Sequence, residues 1–234
     1  MRLAPIVIAN TFPNKKYPTL QEGYEHGDLV IDPGDNHGEY IDGQDIQPTL
    51  EMAKLSCRET HDSIVAEAVT EMFATELYCA LHGLNKHNIA AYCARWMHGY
   101  EYDQFWLENT DQLIGRALEK DSYKLRDLGG YIVDTFTIAL WGLMHTESFR
   151  DGMLTVLRLG GDTDTNAAVY GQLAGAYYGY EAIPQEWRDG VYLSDELVDI
   201  ADKLLAMDKC PILKSRFEDD EHFVEQYAQI SNHR

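Results

Sequence analysis

The chain has 234 residues, a length that suits one domain with a substantial core, and we predict a single domain over residues 1–234. A formal net charge of −20 argues against nucleic acids and anionic membranes as partners, because both attract clustered lysine and arginine. The sequence has no basic–apolar leader, no long apolar run and no C-x-x-C pair among its four cysteines. We therefore expect a cytoplasmic protein with reduced thiols.

The first part of the chain, residues 7–46, is predicted to be irregular, and residues 13–46 are expected to form a loop segment. Three prolines (Pro13, Pro18 and Pro33) and five glycines interrupt it, and eight acidic residues lie between Glu22 and Asp45. These acids recur too evenly for a ligand cluster, so a solvated loop is expected. Loops of this length often act as lids or contact surfaces.

From Pro48 onward the apolar residues follow helical spacing. A helix is predicted over residues 64–81, which Gly83 can end. Ser194 is predicted to cap a helix near the C-terminus. Alternating strand patterns are nearly absent, so the periodicity predicts an all-α bundle. Besides residues 64–81, the predicted helices cover residues 89–98, 103–118, 131–145, 149–159, 164–178, 194–205 and 218–230. The helix over 194–205 is the one that Ser194 is predicted to cap.

The most informative motif lies within residues 158–179. Asp162 and Asp164 are one residue apart behind Gly160 and Gly161, and Thr165 adds a hydroxyl group. Carboxylate and hydroxyl oxygens are hard donors, which Mg²⁺ and Mn²⁺ prefer. The glycines allow the backbone to approach a ligand closely. A helix N-cap would explain one acidic residue here, but two acids and a threonine exceed that need, so the pattern favours a metal site.

Small residues recur every four positions in the helix that follows, at Ala167, Gly171, Gly175 and Gly179. Each glycine inside a helix costs about 1 kcal/mol relative to alanine. A close contact with a neighbouring helix would offset that cost, so we predict that this small-residue stripe is tightly packed.

Residues 129–190 resemble the C-terminal part of the ADP-ribosylglycohydrolase family, which contains the enzyme that removes ADP-ribose from dinitrogenase reductase. The resemblance includes Gly-Gly-Tyr-Ile-Val-Asp-Thr-Phe at 129–136, Gly-Gly-Asp-Thr-Asp-Thr at 160–165 and Ile-Pro-Gln-Glu-Trp at 183–187. Met-Arg-Leu-Ala-Pro-Ile at 1–6 and Ser56 with Thr60-His61 agree with it. It implies an orthogonal helical bundle and a hydrolase whose partner is ADP-ribose or an ADP-ribosylated protein.

The resemblance also implies a site. In the family two Mg²⁺ ions hold the ribose hydroxyls, and the matching residues here are Asp162, Asp164 and Thr165 as metal ligands. Four further residues are implied to lie near the substrate: His61, Tyr131, Gly160 and Gly161.

Two of these residues also have a structural interpretation. His61 lies at a helix start, where backbone N–H groups favour anions, so it suits contact with a diphosphate. Alternatively, Thr60 or Asp62 caps that helix and His61 is simply exposed. Tyr131 begins an apolar helix, and a core position is slightly favoured for it.

The sequence departs from the family at its start. A glycine-rich helix, a Thr-Asp-Asp-Thr metal motif and a Gly-Asn-Gly-Ser loop precede the Met-Arg segment in the family, whereas this chain begins at that methionine. We therefore expect an N-terminally shortened bundle that holds Mg²⁺ or Mn²⁺, one ion instead of two, and we assign no catalytic acid. An apolar face over residues 131–145 would lose its cover, which favours a homo-oligomer.

Three functions are compatible with these residues. The first is an active Mg²⁺-dependent hydrolase, completed by acids from residues 13–45 or from a complementing chain. The second is a catalytically inactive protein that binds ADP-ribose or a nucleotide. The third is a structural or oligomerising protein without a ligand.

Overall fold

The structure is a computed structural model that describes residues 3–10, 43–99, 114–120, 125 and 127–206. All the regular secondary structure in these ranges is helical, without a strand, which confirms the predicted all-α class. The first four helices are α1 (Ala4–Asn10), α2 (Gly43–Arg58), α3 (Ile64–Leu81) and α4 (Lys86–Gly99). After a helical stretch at 114–118 come α5 (Ile132–Met144), α6 (Phe149–Leu157), α7 (Thr163–Tyr178), a 3-10 turn (Tyr180–Ala182), α8 (Gln185–Arg188) and α9 (Ser194–Leu205).

Helix ends follow local chemistry. Helix α3 has the predicted bounds, and Gly83 follows it at φ 76°. The N–H groups of Gly83 and Leu84 donate to the carbonyl groups of Ala80 and Cys79, a glycine-dependent helix ending. The prediction for α9 was wrong at its cap, because Leu193 occupies the N-cap at φ 60° and Ser194 is the first helical residue.

The predicted irregular segment over residues 7–46 was wrong at both ends. Residues 7–10 belong to α1, and residues 43–46 belong to α2. Val7 and Ile46 are buried, so burial of apolar side chains outweighs the nearby helix breakers, including Pro48 inside α2. Residues 11–42, residues 103–113 of the helix predicted over 103–118, and the helix predicted over 218–230 lie outside the described residues.

Helix α3 passes through the core, and most of its residues from Ala66 to Ala80 are buried. It packs against α2, α4, α5 and α7. Helix α5 is buried without interruption from Thr135 to Leu143. From Thr135 to Leu143 the apolar face predicted to be uncovered is therefore covered by the chain itself, and the homo-oligomer prediction loses that part of its basis.

The small-residue stripe on α7 does not make the predicted close contact. A Cβ at Gly175 would have nothing within 4 Å, and one at Gly171 would meet only a methionine methyl group at 3.4 Å. The close approach occurs on the neighbouring helices, where Cβ atoms at Gly142 and Gly152 would lie 2.9 and 1.7 Å from Tyr170. A large side chain on α7 is thus packed against glycines of α5 and α6.

Within the described ranges, no helix has the length and apolar character needed to cross a membrane. Three cysteines fall in these ranges, and each is a free thiol. Cys79 and Cys93 are buried, whereas Cys57 is half-buried.

Candidate functional site

The two aspartates lie in the turn that joins α6 to α7. Gly160 and Gly161 adopt φ values of 79° and 69°, the left-handed region that favours glycine. A Cβ at Gly161 would lie 1.9 Å from the carbonyl oxygen of Leu128. Asp162 is the N-cap residue of α7, but its side chain makes no capping hydrogen bond. Helix capping therefore does not account for this carboxylate.

The Asp162 side chain is turned towards a second loop. A Cβ added to Gly130 would lie 2.1 Å from Oδ2 of Asp162, so the carboxylate occupies space that only glycine leaves open. The Asp162 N–H donates to the carbonyl oxygen of Leu128 at 3.0 Å, which fixes the backbone of the turn against that loop. Gly130 forms a cradle for the carboxylate.

The two carboxyl groups are close neighbours. Hydrogen bonding from the Asp162 carboxyl lowers the pKa of Asp164, and the backbone N–H groups of Thr165 and Asp164 act in the same direction. Cation binding requires both carboxyl groups in the ionised form. In that form they would repel each other, and a divalent cation beside both would relieve the repulsion. With the Thr165 hydroxyl they form a hard oxygen donor set that fits Mg²⁺ or Mn²⁺. In the part of the chain that the structure describes, no three His, Cys, Asp or Glu side chains converge on a metal position.

A cavity of about 670 Å³ lies beside the start of α7, between α2, α3 and α5. Thr165 and Gly130 belong to its wall, whereas Asp162 and Asp164 do not line it. The cavity therefore borders the aspartate pair at Gly130, the glycine over which the Asp162 carboxylate lies. Most of the wall is apolar and includes Phe73 and Phe136. Its polar part includes Ser56, Thr60, His61, Thr70 and Tyr131.

The cavity brings together three of the residues singled out in the sequence: His61, Tyr131 and Thr165. His61 is exposed, and its Nδ1 atom lies 2.9 Å from Oγ1 of Thr60. The alternative interpretation was wrong about the cap, since Ser63 is the N-cap residue of α3, but its expectation of an exposed His61 is confirmed. Tyr131 is 57% exposed at the N-cap of α5, so it is not a core residue.

Gly160 and Gly161 are not among the residues that line the cavity, and they shape the turn instead. Sequence reasoning missed the part played by Gly130. Its signal was present in the Gly-Gly pair at 129–130, but only the folded chain shows which of the two glycines faces Asp162.

Comparison with known proteins identifies the family of the chain. A model of the family described as ADP-ribosylglycohydrolase matches residues 39–211. The chain is 32% identical over 154 residues to the ADP-ribosylarginine hydrolase Tri1 of Pseudomonas putida (strain GB-1), over 65% of this chain and 38% of the relative. It is 42% identical over 57 residues to the ADP-ribosyl-[dinitrogen reductase] glycohydrolase of Rhodospirillum rubrum, over 24% of this chain and 19% of the relative.

A solved structure described as an ADP-ribosylglycohydrolase-related protein complex matches with a TM-score of 0.60 and 34% identity, over 68% of this chain and 53% of that chain. The family resemblance and its helical fold are thereby confirmed. The chain spans about half or less of the length of these relatives.

Proposed function

Because this chain belongs to the ADP-ribosylglycohydrolase family, we propose that it forms the cation-binding part of a hydrolase that removes ADP-ribose from a modified protein or a small-molecule acceptor. The single observation that carries the proposal is the junction between the aspartate pair and the cavity. Gly130 and Thr165 line the cavity, and Gly130 also cradles the carboxylate of Asp162.

Asp162, Asp164 and Thr165 are the residues proposed to hold one Mg²⁺ or Mn²⁺ ion. Three protein oxygens would leave coordination positions for water and substrate, which is how Mg²⁺ is commonly bound. Bound there, the ion would orient the ribose hydroxyls and a water molecule for attack on the glycosidic bond. The absence of a side chain at Gly130 leaves the space that the Asp162 carboxylate occupies in this role.

The cavity is proposed to receive ADP-ribose. Its volume lies within the range of about 300–1,000 Å³ that is usual for small-molecule sites. Apolar and aromatic walls suit a nucleotide base, and the polar part suits phosphate and hydroxyl groups. His61 lies two residues before the N-cap of α3, where helix N–H groups favour anions, so we assign it to the diphosphate.

Proton transfer needs a carboxylic acid or another titratable group in addition to the metal ligands. We assign Asp162 and Asp164 to the cation and therefore place the catalytic acid elsewhere. Residues 13–45 contain eight acidic residues, and a complementing chain is the other source.

The test is release of ADP-ribose from a protein modified on arginine, measured with Mg²⁺, with Mn²⁺ and with a chelator. We expect release only with a divalent cation, and loss of release in Asp164→Asn. Cation-dependent binding of ADP-ribose without turnover would contradict a hydrolase and would favour a protein that only recognises ADP-ribose. A bound ligand at 100 times its Kd adds about 2.7 kcal/mol of stability. If neither cation nor ADP-ribose raises the Tm, neither role stands.

A further inference from the structure

Two loops that face each other, residues 127–130 and residues 159–162, are joined by hydrogen bonds in both directions. The Asp127 N–H donates to the carbonyl oxygen of Leu159 at 2.9 Å. The Asp162 N–H donates to the carbonyl oxygen of Leu128 at 3.0 Å. These two bonds enclose Gly160 and Gly161, so the most adaptable part of the turn is fixed on both sides.

The side chains of the two loops are arranged reciprocally. The Asp162 carboxylate lies over Gly130, where a Cβ would be 2.1 Å from Oδ2. The Asp127 carboxylate lies over Gly160, where a Cβ would be 2.5 Å from Oδ1. Each aspartate thus occupies the space beside a glycine of the opposite loop.

Asp127 has an unusual backbone. Its φ of 54° is left-handed, and among the described residues that are not glycine only Leu193 shares this conformation. Aspartate tolerates the left-handed region better than most residues, whereas β-branched residues are genuine outliers there. Asp127 is exposed, so burial does not hold it in this conformation. The hydrogen bond to Leu159 and the contact with Gly160 are made by the left-handed form.

We infer that Asp127 is a positioning residue for the proposed cation site, whose left-handed backbone holds the two facing loops together and keeps the Asp162 carboxylate over Gly130. The inference rests on the proposed function. If residue 127 leaves the left-handed region, the bond to Leu159 is lost on one side of the glycine turn, and Asp162 on the other side is less restrained. Cation binding must then restore the turn, which weakens the affinity.

The test is the affinity of the full chain for Mg²⁺, measured by calorimetric titration, together with the Tm without metal. In Asp127→Val a β-branched residue replaces one that tolerates the left-handed region, and we expect about tenfold weaker binding, equal to about 1.4 kcal/mol. Asp127→Asn keeps that tolerance, and its affinity should stay within twofold of the wild type. The matched control is Leu193→Val, which puts the same residue at the other left-handed position, outside the site.

Leu193→Val is expected to lower the Tm and to leave Mg²⁺ affinity unchanged. If Asp127→Val does not fold, Asp127→Ala replaces it, with an effect in the same direction. If the wild type and the folded residue-127 variant bind Mg²⁺ with equal affinity, the inference about Asp127 is overturned, whereas the proposed cation site is not. An Asn variant as weak as Val would overturn it in favour of a charge effect. A wild type without Mg²⁺ binding would remove the proposed cation site itself.

Discussion

The Asp162 carboxylate lies directly over Gly130, so that a Cβ at residue 130 would be 2.1 Å from Oδ2 of Asp162. This contact joins the turn before α7 to the loop before α5. It also connects the aspartate pair to the cavity, because Gly130 lines that cavity. The position of the Asp162 carboxylate therefore depends on Gly130, a residue without a functional side chain.

The change Gly130→Ala should weaken Mg²⁺ binding by at least about tenfold, or about 1.4 kcal/mol, because the new methyl group displaces the Asp162 carboxylate. Gly129→Ala is the matched control, since a Cβ there has nothing within 4 Å. Calorimetric titration of both variants measures the difference. Equal affinities for the two alanine variants would show that the cradle does not position a metal ligand.

A second pair of glycines tests the packing around α7. Gly152→Ala should lower the free energy of unfolding by about 1–3 kcal/mol, because its Cβ would lie 1.7 Å from the hydroxyl group of buried Tyr170. Gly175→Ala should raise it by about 0.5–1 kcal/mol, because that helical position is open. Urea unfolding measures both. A stable Gly152→Ala protein would contradict the tight contact.

Glu76 should make stability depend on pH. It is fully buried on α3, and among the described residues neither carboxylate oxygen has a hydrogen-bond partner. Burial raises its pKa well above the ordinary value of 4.5. As pH rises, the unfolded chain ionises first, so stability is full below that ordinary value and is lost as pH rises towards the folded pKa.

Glu76→Met removes this group and keeps the volume, so the variant should lack that pH-dependent loss. We expect it to exceed the wild type by about 1–3 kcal/mol at pH 8, the range for an unsatisfied buried group. Urea unfolding between pH 4 and pH 8 measures the difference. Parallel profiles for the two proteins would mean that Glu76 does not ionise with a raised pKa.

His61→Gln should weaken ADP-ribose binding by at least about tenfold, because hydrogen bonds to charged groups contribute about 1.5–3 kcal/mol. His87→Gln is the control, since His87 is exposed near the start of α4 and does not line the cavity. Binding is measured by calorimetry in the presence of Mg²⁺. A similar loss in both variants, or none in either, would argue against a diphosphate contact at His61.

The sequence was sufficient for the fold class and for most helix positions, because apolar periodicity and glycine stops are local signals. Helix α3 shows this, with both ends at the predicted residues. It was not sufficient for the ends of the 7–46 segment. There the burial of Val7 and Ile46 against distant helices outweighs local helix breakers, and no local pattern contains that information.

The candidate site was predictable to a similar extent. Asp162, Asp164 and Thr165 stand out by residue type and spacing, and the structure brings Thr165 into one cavity with His61 and Tyr131. The roles of Gly130 and Asp127 were not predictable, because each depends on which loop faces the other in the fold. The close contact predicted for the small-residue stripe on α7 was wrong for the same reason. Whether a neighbouring helix lies against that stripe depends on the tertiary fold and cannot be read from local spacing.

The central claim is a divalent cation site at Asp162, Asp164 and Thr165, and calorimetric titration with Mg²⁺ tests it most directly. We expect saturable binding to the wild type, at least about tenfold weaker binding to Asp164→Asn, and unchanged binding to Asp195→Asn, which removes the same charge from α9. No saturable binding to the wild type, or equal affinity in the wild type and Asp164→Asn, would contradict the account.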